Sequence, residues 1–158
     1  MKCLSLVLVL ILGYSLDSYG QENNEIKLIR DFYKALYIND IDPEEIVARY
    51  IKCSDADQCK KGAYMVMDFR NLANEEKGNF FLLKKDIMEN NFFISSYNSF
   101  PETAKIKFKN LVEDKRKEIY KVDLRNGAPQ YFLIEKDKIV SFFGFQKAGS
   151  EDYTFIVF

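Results

Sequence analysis

Histidine and tryptophan are absent from the 158 residues. Without histidine the chain cannot assemble a Ser-His or Cys-His nucleophile pair, an Asp-His dyad or a histidine-ligated metal centre. Glycine is sparse, with seven scattered residues, and none forms the glycine-rich loop that cradles a phosphate. Proline occurs three times and no Asn-x-Ser/Thr acceptor is present. Neither charge dominates, because 23 Lys and Arg face 24 Asp and Glu, so there is no footprint for nucleic acid. No repeat or low-complexity segment interrupts the chain.

Cysteine is also scarce, at three residues, and the positions matter. Met1-Lys2, an apolar run from Leu4 to Gly13 and a small, polar stretch ending at Gly20 have the three-part layout of a secretory signal peptide, residues 1–20. Ser18 and Gly20 supply the two small residues before the cleavage point, and the run is too short to span a bilayer. Cys3 precedes the apolar run and leaves with the leader. The mature chain, residues 21–158, is the length of one ordinary domain, and no transmembrane anchor is expected after cleavage. Export, to a periplasm or outside the cell, places Cys53 and Cys59 where disulfides persist, so the two are expected to pair. Two cysteines without histidine do not complete a zinc site, and no metal or cofactor is expected.

What the chain has in quantity is rings, 14 Phe and 10 Tyr. Ile26, Ile29, Phe32, Tyr33 and Leu36 fall on one stripe at helical spacing, which predicts an amphipathic helix from Asn24 to Ile38. Asp42-Pro43-Glu44-Glu45 is a strong start signal for a second helix reaching about Lys52. Ser54 to Asp57 caps a third helix, whose broad apolar face includes Cys59, Gly62, Met65, Val66, Phe69 and Leu72. Phe80 to Ile94 fits no single period. A short helix or two strands would serve, with extended ends and about one helical turn near Asp86 to Asn90 as the preferred reading.

From Thr103 the period becomes two. Lys105, Lys107 and Lys109 alternate with Ile106 and Phe108 as a half-wet strand. Further strands follow around Tyr120 to Leu124, Tyr131 to Ile134, Ile139 to Phe145 and Tyr153 to Phe158, with Asn126-Gly127 as the strongest hairpin signal. The fold class expected is therefore α+β, with N-terminal helices packed on a four- or five-stranded antiparallel sheet.

The stretch FYKALYINDIDPEEIVARYI from Phe32 and the late YFLIEKDKIVSFFGF from Tyr131 together resemble the nuclear transport factor 2-like superfamily. The resemblance covers nearly all of the mature chain and implies a cone, in which helices wrap a strongly curved sheet around an inner pocket. The late Trp usual in that family is missing, and Phe142 or Phe143 stands in the comparable part of the strand. This fold hosts isomerases, dehydratases, hydrolases and non-catalytic modules, so function rests on the site.

An isomerase-like route needs one carboxylate set among aromatic rings. Asp68, at the edge of the third helix's apolar face, is the candidate, with Tyr33, Tyr37 or Tyr64 as hydroxyl partners. The bland reading makes Asp68 a solvent-facing boundary residue and the tyrosines core. The Ser54-Asp55-Ala56-Asp57-Gln58 run lacks the glycine and closing Glu of a calcium loop and reads as a cap. The Lys105, Lys107, Lys109 stripe, continued by Lys115, Arg116 and Lys117, would suit an acidic partner or simply a wet face. The expected function is an exported, non-catalytic binding module of the cell envelope with a protein partner, such as an inhibitor or immunity factor. The alternative is a pocket protein for a small apolar ligand, or a His-free acid-base enzyme using Asp68.

Overall fold

Four helices come first, and the first three are each started by a capping side chain. The computed structural model describes residues 23–158. The expected leader and the cleavage point after Gly20 lie outside the described residues. Helix α1 (Asn24–Tyr37) begins where the Asn23 side chain accepts the Glu25 N–H, and buries Ile29, Phe32, Tyr33, Ala35 and Leu36. Helix α2 (Pro43–Tyr50) begins at Asp42, whose carboxylate accepts the N–H groups of Glu44 and Glu45. Helix α3 (Ala56–Ala73) begins at Asp55, which accepts the Gln58 N–H. That hydrogen bond, seconded by the Ser54 hydroxyl, holds the Asp55 carboxyl below its ordinary range. All three starts fall at or next to the residues the sequence marks for them.

The disulfide Cys53–Cys59 is present, with Cα atoms 5.4 Å apart, and ties the segment after α2 to the first turn of α3. A loop this small restricts the unfolded chain by about 2 kcal/mol. Reduction and alkylation of both thiols is therefore expected to lower the unfolding free energy by roughly that amount in a urea titration. An unchanged midpoint would remove the staple from the account. Gly62 on α3 faces Val47 of α2, and a Cβ added there would lie 3.4 Å from the Val47 side chain and 3.5 Å from the Phe158 ring. The glycine is spent on close helix packing.

Helix α4 (Gly78–Met88) is where the structure departs from the expected extended start of Phe80 to Ile94. Its inward set is Leu83, Asp86 and Ile87, with Phe80 packed beside them, so the helical period runs through an aspartate. Phe81 and Leu82, on neighbouring flanks, blur that period in the sequence. The other end is extended as expected: β1 (Phe92–Ser96) is the first strand of the sheet.

The Lys105 to Lys109 strand is not formed. Pro101 and Glu102 instead start a short helix, α5 (Glu102–Lys105), and a 3₁₀ turn at Ile106–Phe108 follows. Ile106 is 57% exposed while Phe108 is fully buried, so the two do not share a strand face. The lysines scatter accordingly, with Lys105 paired to Glu102, Lys107 over the Tyr153 ring and Lys109 near Asp152. Ahead of the next strand the chain turns through one helical turn, α6 (Glu113–Arg116).

The main sheet has the order β1-β2-β3-β4, all antiparallel, with β2 (Ile119–Leu124), β3 (Gln130–Glu135) and β4 (Lys138–Ser141). One strand expected from Ile139 to Phe145 is broken after Ser141. Its buried hydroxyl donates to the Phe143 carbonyl and accepts the Phe143 N–H, freeing the chain to leave the sheet. β5 (Gly144–Gln146) then pairs with β6 (Tyr153–Phe155) in a separate two-stranded sheet, and the residues after Phe155 do not continue β6.

The architecture is α+β, with six α-helices, mostly N-terminal, among the described residues. Its helices-then-sheet order is compatible with the nuclear transport factor 2-like fold. The main sheet separates two cores. Helices α1 to α4 cover the face carrying Ile94, Tyr120, Val122, Phe132 and Ile139. The segment around Phe100 and Phe108, with Tyr153 and Phe155, covers the face carrying Ile119, Tyr131 and Leu133.

Candidate functional site

The sequence-derived site residues separate in the structure. Tyr33 is buried in the main core, edge-on to Phe132 at 5.4 Å, and burial raises its hydroxyl pKa well above the ordinary value, with Tyr37 adding to the effect. Tyr37 stacks on it at 6.2 Å. Tyr64 is 64% exposed and Asp68 is exposed, both on the outer face of α3. The desolvation that a base at Asp68 would need is therefore not supplied there.

The interior between helices and sheet, where a cone would keep its pocket, is packed with rings. Phe32 is fully buried and lies 5.1 Å from Phe142, 5.9 Å from Phe132 and 6.1 Å from Tyr50. Phe69 joins this set edge-on to Phe142 at 5.4 Å.

A concave surface lies outside, where α1, α3 and α4 meet, apart from a separate hollow of about 460 Å³ between the start of α1 and Lys136-Asp137. A groove of about 490 Å³ is lined by Phe81, Lys84, Lys85 and Met88 of α4 and by Ala73 and Asn74 at the end of α3. A second hollow of about 220 Å³ shares Asn74 and Lys84 with it and adds Tyr37, Ile38 and Arg70. A third of about 280 Å³ shares Ile38 and Met88 and adds Arg30 and Lys34. Five basic side chains thus surround exposed Ile38 and Met88, against Asp40, Glu76 and Glu89.

The groove is held by helix ends. Arg70 donates from Nε to the Leu36 carbonyl at 2.7 Å and from Nη2 to the Ala35 carbonyl at 2.9 Å, capping the last turn of α1. Lys84 donates to the Asn74 side chain at 2.7 Å across the α3–α4 connection. The Tyr37 hydroxyl is buried with no hydrogen-bond partner among the described residues. Burial raises its pKa, and the Arg70 guanidinium pulls the other way. Chemically, the groove offers cationic and apolar contacts around a neutral phenol.

The sequence reading missed the one buried carboxylate among the described residues, Asp86, which is 0% exposed. It accepts the Asn126 backbone N–H at 2.7 Å and the Asn126 Nδ2–H at 2.5 Å, so it ties α4 to the β2–β3 connection. It does not line the groove. The signal that could have found it is an Asp three residues after Leu83 and beside Ile87, on the inward stripe of a helix. No family model, curated protein or solved structure matches the chain.

Proposed function

We propose that the protein is an exported, non-catalytic binding module with a nuclear transport factor 2-like fold, acting on another protein in the manner of an inhibitor or immunity factor. The observation that carries this reading is the ring-filled interior around Phe32, which occupies the volume where an enzyme of that architecture would hold its substrate. The docking surface is the groove at α1, α3 and α4, where exposed Met88 and Ile38 supply apolar contact and Lys84, Lys85 and Arg70 favour an acidic partner.

Affinity capture from cell-envelope extract with native mass spectrometry of the eluate tests it. A stoichiometric protein partner is expected. Met88→Asp combined with Lys84→Glu should weaken its binding by at least about 10-fold, the effect of losing one well-placed contact. A partner held equally well by that variant would move the surface elsewhere, and elution of a small molecule with no protein would sink the reading. The unpartnered Tyr37 hydroxyl favours the small-ligand alternative, which requires Tyr37→Phe to weaken retention of that molecule.

A further inference from the structure

We propose that β1 is a self-recognition edge, on which a second copy of this chain pairs antiparallel to join two four-stranded sheets into one. The two edges of the main sheet are treated differently. On the β4 side the chain after α2 lies along the strand, with Ile51 bridged to Ile139 and the Lys52 N–H donating to the Ile139 carbonyl at 2.8 Å. On the β1 side no strand is paired among the described residues. Edge strands are ordinarily blunted by charge, proline or a bulge. β1 reads Phe-Phe-Ile-Ser-Ser, pairs with β2 without a register shift, and carries Phe93 at 67% exposure.

The backbone phase of this edge is fixed. The Arg125 N–H donates to the Asn91 carbonyl, so alternation turns the backbones of Phe93 and Ser95 towards β2 and those of Phe92, Ile94 and Ser96 outwards. The Ser96 carbonyl already accepts the Ser99 hydroxyl at 2.7 Å, as an outward group can, and keeps a second lone pair.

A two-fold axis at Ile94 matches every outward group with its mate. Ile94 then faces Ile94 of the second copy, and Phe92 faces Ser96. On the opposite face Phe93 meets Ser95. Each phenylalanine is thereby set against a serine, Ile94 meets its own counterpart, and no like charges oppose each other, as an isologous contact requires.

Helix α1 adds charge complementarity. Its N-terminus lies at the Ser96 end of β1, where Asn23 and Glu25 come near the Tyr120 side chain and Tyr120 pairs with Ser96. Further along, Arg30 sits 4.9 Å over the Phe92 ring. Antiparallel pairing brings the Phe92 end of one copy to the Ser96 end of the other. Arg30 and Lys34 of one α1 thus approach Glu25 of the other.

Sedimentation velocity of the purified protein, at rising concentration, tests the pairing. A reversible dimer is expected, with the amides of Phe92, Ile94 and Ser96 exchanging more slowly as it forms. Ser96→Pro fits the native φ of −82° and removes one outward donor per copy, so the dimer loses two hydrogen bonds and weakens about 30-fold. Phe93→Lys, on an exposed side chain, should also weaken it by setting two charges across the axis. A protein that stays monomeric throughout, or a dimer that both variants leave equally tight, overturns the proposal. Should the variants not fold, fast exchange of those three amides in the concentrated wild-type protein overturns it alone.

Discussion

Phe32→Ala is expected to lower the free energy of unfolding by about 4 kcal/mol, the middle of the range for truncating a buried ring. Phe32 is fully buried, and its ring touches Tyr33, Tyr50, Phe132 and Phe142, which come from α1, α2, β3 and the segment after β4. Alanine removes the transfer energy of the ring and leaves a void whose walls belong to separate elements and cannot close together. With typical domains stable by 5–15 kcal/mol, roughly, a loss of this size threatens folding at body temperature. Urea unfolding at an unchanged m-value measures it. The void is apolar, so it should also take up benzene-sized guests that the wild-type interior refuses. Phe93→Ala, read at dilution, is the control and should fall within about 0.5 kcal/mol of wild type, because that ring is exposed. A Phe32→Ala loss below about 1.5 kcal/mol would mean that the interior is not filled as described, and the argument against a substrate pocket would fall with it.

How far the sequence was readable depended on whether local chemistry and packing agreed. At Asn23, Asp42 and Asp55 they did, because a capping side chain can only satisfy N–H groups two or three residues ahead. The hairpin at Asn126-Gly127 is present, yet for a different reason from the one its dipeptide suggests. Neither residue has the positive φ of a tight two-residue turn, and the connection spans residues 125–129. A Cβ at Gly127 would lie 2.9 Å from the Leu124 Cδ1 methyl, which would have to turn aside to admit it. Asn126 is needed for Asp86, 40 residues away. The Lys105 to Lys109 alternation misled because a period of two over five residues also fits a short helix anchored by one ring. Phe108 is that anchor, stacked 5.2 Å from Tyr153. Of the candidate site, the tyrosines could be named but not placed. Tyr33 stands on the apolar stripe read for α1 and is buried, while Tyr64 stands off the apolar face read for α3 and stays in water. Which side chains each would meet is decided by the packing of the helices.

Exchanging the two ends of the Asp86–Asn126 clasp should separate a structural role from a coincidental contact. Asp86→Ala leaves the Asn126 N–H and side-chain amide without their acceptor, and a hydrogen bond to a charged group is worth roughly 1.5–3 kcal/mol, so a loss of about 3 kcal/mol is expected. Asn126→Asp should cost at least as much, about 3 kcal/mol, since it sets a second carboxylate against one that is already buried. The double variant Asp86→Asn with Asn126→Asp keeps one amide and one carboxylate in contact, merely reversed. The backbone N–H at position 126 can still donate to the amide oxygen introduced at position 86. Its stability should therefore exceed the sum of its two single changes by about 1.5 kcal/mol, within the range for residues sharing a hydrogen-bond network. Hydrogen exchange supplies the spatial readout. Loss of the clasp should speed exchange at the Arg125 N–H, which bonds Asn91 next to the end of α4, before it affects the β3–β4 pairing. Additivity within about 0.5 kcal/mol, with no local change in exchange, would mean that Asp86 is buried for packing alone. A coupled result would make α4 and the β2–β3 connection one cooperative unit. The groove residues Lys84, Lys85 and Met88 sit on that same helix. The binding surface would then be only as rigid as this single buried carboxylate keeps it.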